Sequence, residues 1–155
     1  MTEYEVASLL AYGIGTIFIF LLLFIVVYIL SSFGLYTMAK RAEIKNEWLA
    51  FVPIGNAYIL GELIDDKLDW ITFGKSGGIK LLIIAIGSIV LNVIPILGTL
   101  FSFLVGIFGF VVLHWLFTKY SENAVLMTVI NIITAGIAGA FIIFALRNKD
   151  PKTMV

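Results

Sequence analysis

Residues 81–118 read LLIIAIGSIVLNVIPILGTLFSFLVGIFGFVVLHWLFT, a stretch without a single Asp, Glu, Lys or Arg. As one helix this run would measure about 57 Å, nearly twice the roughly 30 Å hydrocarbon core of a bilayer. Pro95 and Gly98 interrupt it within NVIPILG. Proline removes a backbone donor and glycine permits a tight reversal, so the economical reading is two helices, at about 79–94 and 99–117, joined as a hairpin near an interface.

Working outward, Val6 to Ala39 is a further uncharged run, ended by Lys40 and Arg41. It gives one span with surplus length, placed at about 11–38. Residues 123–146 form a last apolar run, closed by Arg147, Lys149, Asp150 and Pro151. That run predicts a single span at about 124–146. The fold expected is therefore all-α and polytopic, one helical membrane domain over 1–155 with four transmembrane helices.

Residues 48–64 (WLAFVPIGNAYILGELI) are apolar but short, and Pro53, Gly55 and Asn56 break them into two arms of one to two turns. A pair of half-helices at about 46–64, re-entrant or lying in the interface, suits them better than a crossing. The alternative is a fifth span kinked at Pro53. With four spans and the N-terminus outside, seven basic residues fall inside against three outside; with five, six against four. The positive-inside rule does not separate these counts.

The composition points the same way. The chain is 61% hydrophobic and 13% charged, its mean hydropathy is +1.11, and ten Lys plus Arg balance ten Asp plus Glu. A balanced charge offers no field to gather nucleic acid, and none is expected as a partner; the lipid bilayer is. Absent cysteines exclude disulfide and thiolate chemistry. Glu3 and Glu5 precede the first run without any Lys or Arg, unlike the basic start of a cleavable signal, so that helix reads as retained.

Chemistry-bearing motifs are few. Glu62, Asp65, Asp66 and Asp69 would share one acidic face if the second half-helix ran on through Trp70, and that face reads as solvated rather than as a cation site. His114 stands alone, with no ligand spacing around it. FGKSGG at 73–78 lacks the GxxxxGK[ST] pattern of a phosphate loop. No catalytic residue, metal site or cofactor is expected. Small residues carry more information. Asn131, Ala135 and Gly139 lie on one i, i+4 row of the last helix, with Gly136 and Ala140 beside it, a pattern that lets backbones approach in lipid. Asn92 and Asn131 hold such contacts or line a polar path.

The stretch AKRAEIKNEWLAFVPIGNAYILG (39–61) resembles K-x-A-x-I-x-N-x-W-L-A-F-x-P-I-x-N-x-Y-x-L-G, a segment of small multi-spanning membrane proteins of Gram-positive bacteria grouped as a domain-of-unknown-function family. The Ile94-Pro95-Ile96 hairpin and the closing FALRNKDP at 144–151 are similar to that layout as well. Glu43 departs from the pattern where a glycine would sit, which bears on the tightness of the turn before Asn46. The resemblance implies a multi-pass protein of the bacterial plasma membrane with a comparable helical layout, and it brings no activity.

The function expected is that of a non-enzymatic accessory or scaffold subunit associating through its helices with itself or another membrane protein, with Trp48, Pro53, Gly55, Asn56 and Tyr58 as the contact or gating segment. The alternatives are a small oligomeric channel or transporter and, more weakly, a bacteriocin-immunity-type protein.

Overall fold

The structure, a computed structural model, describes residues 2–152. Among these are six α-helices and no strand: α1 (Glu3–Arg41), α2 (Gly55–Leu63), α3 (Gly77–Leu91), α4 (Pro95–Tyr120), α5 (Ala124–Ile133) and α6 (Ile137–Leu146). Short 3₁₀ turns at Glu47–Phe51 and Asp65–Lys67 flank α2. By length and composition α1 and α4 can each cross a membrane, whereas α3, α5 and α6 are shorter apolar helices.

α1 starts well before the expected Ala11, because Thr2 and Glu5 form a capping box. The Thr2 side chain accepts from the Glu5 amide at 3.3 Å, and the Glu5 carboxylate accepts from the Thr2 amide at 2.8 Å. At its other end the amide of Ile44 reaches the Ala39 carbonyl and that of Glu43 reaches Lys40, the two bonds of a Schellman ending. Glu43 occupies its left-handed position at φ 55°, so the tight turn forms without glycine. An L-residue there is strained by about 1 kcal/mol, so Glu43→Gly should raise unfolding stability by about that amount, measured by thermal unfolding in bicelles.

The hairpin forms at residues 92–94 and not at Pro95, which serves as the first residue of α4, where its missing donor costs nothing. Gly98 lies one turn into α4, and a Cβ there would meet the Asn92 Cα at 2.5 Å. It therefore sets how closely the two helices join. Asn92 ties the joint, donating to the Ser88 carbonyl at 2.6 Å and to the Ser102 hydroxyl at 2.9 Å.

The single helix expected over 124–146 does not form. It is two ten-residue helices separated at Thr134–Gly136. Gly136 N–H bonds the Asn131 carbonyl and Ala135 N–H bonds that of Ile132, a second Schellman ending. Ala135 stands in the left-handed region at φ 50°, and Gly136 follows at φ 92°. Each arm is about 15 Å long. The chain then returns to where it began, because the Lys152 amide donates to the Lys119 carbonyl at 2.8 Å. The row Asn131, Ala135, Gly139 is accordingly not one helix face.

Residues 46–64 behave alike. The 3₁₀ turn and α2 form the two arms of a dip whose far point, Phe51, accepts a 2.7 Å hydrogen bond from the Tyr28 hydroxyl. Tyr28 lies about 20 Å back along α1 from Arg41. The return arm ends beside Lys119, whose ammonium donates to the Leu63 carbonyl at 2.8 Å.

One end of the molecule thus gathers the ends of α1, α2, α4 and α6 and the starts of α3 and α5, with Arg41 paired to Asp150. Among the described residues the α3–α4 turn and the start of α1 lie away from that end. The packed core lies in the first half, where Met38, Ile59, Ile64, Leu68, Leu116, Phe117 and Leu146 are fully enclosed. Beyond it the outer part of α1 stands apart: from Glu3 to Val26 every residue except Ser8 is exposed.

Candidate functional site

Where the two dips end, the two chain breaks meet. Asn56, in the first turn of α2, and Gly136, just before α6, line one cavity of about 240 Å³ together with Tyr28 and Ser31 of α1 and Leu113 of α4. A neighbouring space of about 280 Å³ continues past Gly136 along Gly106 and Gly109 of α4. Tyr28, Ser31 and Asn56 supply the cavity's side-chain polar groups; the remaining lining is aliphatic, aromatic or glycine. Irregular backbone sits here beside a space lined by the chain's own side chains.

The first-turn amides of α6 do not face the cavity as free donors. Ile137 N–H bonds the Thr134 carbonyl, Ala138 N–H the Thr134 hydroxyl at 3.1 Å, and Gly139 N–H the Gly136 carbonyl. In α2 the amides of Asn56 and Ala57 are likewise bonded, to Val52 and Ile54. The cavity is therefore shaped for an apolar or weakly polar occupant rather than an anion.

Of the other residues singled out in the first dip, Trp48 and Pro53 are exposed and Gly55 is buried against Leu49. Tyr58 is half-buried and turns its ring toward Gly78 of α3, so it is a helix–helix contact. Asn131 is fully buried, and among the described residues neither side-chain polar atom has a hydrogen-bond partner. It abuts Gly139, where a Cβ would lie 2.7 Å from its Oδ1. Gly139 and Ala140 are buried while Ala135 is exposed. Asn92 belongs to the α3–α4 turn, so the two asparagines do not share a path along this cavity.

The four carboxylates separate, because α2 ends at Leu63 before they could align. Glu62 accepts from the Ser76 hydroxyl and Asp65 from the Gly77 amide. Asp66 pairs with Lys119 at 2.9 Å and Lys67 at 3.5 Å, and Asp69 lies 3.9 Å from the buried ammonium of Lys80. The start of α3, within FGKSGG, is thus occupied by the chain's own carboxylates. Among the described residues no group of His, Asp and Glu is arranged to hold a metal ion. Partial burial pushes the Asp66 carboxyl up, but the hydrogen bond and charge of Lys119, with Lys67, outweigh it and hold the group below its ordinary 3.8. A lowered carboxyl stabilises the fold above its ordinary value and stops doing so as the pH falls through the lowered one. Protection of the amides over residues 63–67, taken relative to their intrinsic exchange, should therefore fall below pH 3.8 in the parent, and Asp66→Asn should show the lowered protection already at neutral pH.

Sequence reasoning missed a close backbone contact between α2 and α3. A Cβ on Gly61 would run into the carbonyl of Gly77, and one on Gly77 would lie 2.9 Å from the Asp65 Cα, so α2 and α3 touch backbone to backbone. The paired glycines were the available signal. His114 also has a partner that its solitary place in the sequence does not show. Its Nδ1 is 2.7 Å from the Thr128 hydroxyl, which already donates to the Ala124 carbonyl. Nδ1–H is therefore the donor, and it links α4 to α5.

Comparison with protein-family models, curated proteins and solved structures finds no match.

Proposed function

We propose that this chain is a non-enzymatic subunit of the bacterial plasma membrane that acts by helix-mediated association with itself or another membrane protein. The observation that carries the reading is the outer part of α1. The helix has 39 residues. Its length is about 58 Å, against a hydrocarbon core of about 30 Å. The stretch from Glu3 to Val26 contributes almost nothing to the chain's own core. Lipid can cover the middle of that length, but a surface overrunning the bilayer needs protein.

The membrane arrangement that best fits this reading has three crossings, α1, α3 and α4, and two dips that do not cross. If α4 crosses, the chain must cross before it, and α3 with residues 92–94 is the segment that does so. On this reading the crossing expected over 124–146 is replaced by α5 and α6, which lead back to the same end. Charge supports this count. All ten Lys and Arg residues fall in segments at the end that gathers most helix termini, with eight of the ten acids, while Glu3 and Glu5 alone mark the other. Ten against zero is a stronger positive-inside asymmetry than four or five spans give, and it puts the N-terminus outside and the C-terminus inside.

Chemical crosslinking in native membranes tests the association. A higher-mass adduct retained through gentle solubilisation is expected, and a chain that stays monomeric under every condition would end the proposal. The meeting of the two chain breaks favours a second reading, a small channel or transporter with Asn56 at its narrowest part. Reconstituted vesicles that pass a small neutral solute, with flux lost in Asn56→Leu, would support it; impermeable vesicles would remove it.

A further inference from the structure

We infer that the cavity between α4 and α5 binds a lipid-soluble phenol or quinol, whose ring hydroxyl donates a hydrogen bond to His114 Nε2. This site is independent of the association proposed above. The cavity measures about 480 Å³ and is lined by Ile107, Phe110, Val111 and His114 of α4 and by Thr128 and Ile132 of α5. Ile107, Val111 and Ile132 are exposed, so the space opens to the surroundings of the helix pair. His114 and Thr128 supply its side-chain polar groups. Their hydrogen bonding fixes what the imidazole can offer. The Thr128 hydroxyl donates to the Ala124 carbonyl at 2.8 Å, so toward His114 Nδ1, 2.7 Å away, it can only accept. The proton of the neutral ring therefore sits on Nδ1, and Nε2 is left as a bare acceptor. Among the described residues Nε2 has no hydrogen-bond partner.

An acceptor in an otherwise apolar cavity selects a donor, because an occupant without one leaves the nitrogen unpaired. Acyl chains, ester carbonyls and quinone carbonyls all leave it so. Phospholipid donors are tied to a charged phosphate, which is costly to draw out of water. On the three-crossing arrangement His114 lies five residues deeper than Lys119 along α4, about 7.5 Å. The hydroxyl of a diacylglycerol is tied to two polar esters and stays nearer the boundary for the same reason. A ring hydroxyl on an apolar body reaches that depth with no other polar group to desolvate beside it. Its delocalised conjugate base also makes it a stronger donor than an alcohol, and Phe110 gives the ring an aromatic neighbour in the wall.

His114 is the chain's one histidine, so nitrogen NMR of isotope-labelled histidine reads both ring nitrogens directly. The full chain is placed in phosphatidylethanolamine–phosphatidylglycerol nanodiscs, with empty nanodiscs as the blank for partitioning. Naphthol should move the Nε2 resonance and bind at least about tenfold more tightly than methoxynaphthalene, which has the same ring and no donor. His114→Phe should bring that ratio to about one and leave methoxynaphthalene binding unchanged. Thr128→Val keeps the shape but frees the tautomer, so it too should collapse the ratio, with the proton found on either ring nitrogen. A Thr128 that only packs would leave that proton where it is. Equal binding of the two probes by the parent, or a parent ring protonated on Nε2, overturns the proposal whether or not the variants fold. Dioleoylglycerol moving the Nε2 resonance as far as naphthol at equal concentration overturns the choice of a ring hydroxyl.

Discussion

Gly61→Val is expected to lose about 3 kcal/mol or more of unfolding stability, and in most membrane mimetics to fail to assemble. The added side chain would enter the space of the Gly77 carbonyl, and Gly77 in turn is held against Asp65. Both neighbours are backbone, so neither rotates away. The contact joins the first dip to α3, and the carboxylates of Glu62 and Asp65 bond across it. Gly87→Ala is the matched control on α3, because nothing lies within 4 Å of a Cβ there. It should be neutral or gain up to about 1 kcal/mol from better helix propensity. Reversible SDS or thermal unfolding in bicelles measures both.

Asn131→Leu should act in the opposite direction and stabilise the fold by about 1–3 kcal/mol. The amide is fully enclosed and, among the described residues, unbonded, so the parent bears its desolvation without return, and leucine has nearly its shape. In Gly139→Ala the new Cβ would lie 2.7 Å from the Asn131 Oδ1. That substitution should destabilise by about 1–3 kcal/mol. A destabilised Asn131→Leu would show that the amide is bonded in the membrane. One consequence concerns assembly experiments. Leucine at Gly136, where φ is 92°, or at Gly139 would damage the fold itself, so those positions cannot report association separately from folding.

Hydropathy made the helical class, a helical hairpin inside the run 81–118 and the break within 46–64 legible in the sequence, because long apolar runs and a Pro-Ile-Gly-Asn interruption leave few alternatives; the turn itself falls three residues earlier than Pro95 and Gly98 suggested. The end of the chain was not legible, for a physical reason. Residues 123–146 contain no proline, and their only glycines, Gly136 and Gly139, equally suit a small-residue packing row. What breaks the helix is Ala135 in a left-handed conformation followed by Gly136, and alanine carries no warning of that. The acidic face failed similarly, since a four-residue row presumes a helix that stops at Leu63. The cavity was half legible. Asn56 stood out beside Pro53, but its partners Tyr28, Ser31 and Gly136 come from segments distant in sequence, and only the fold brings them together.

The most direct test of the three-crossing arrangement is accessibility of single cysteines to a membrane-impermeant maleimide, before and after permeabilising intact cells. Cysteines at Lys75, Glu122 and Lys149 of the full chain separate the topologies, and Glu3 and Lys45 fix the sides of the first crossing. With three crossings, Glu3→Cys alone is labelled in intact cells and the other four react only after permeabilisation. Lys149→Cys labelled from outside would restore a fourth crossing, and Lys75→Cys with Glu122→Cys labelled from outside would make the first dip a crossing; either result contradicts the account.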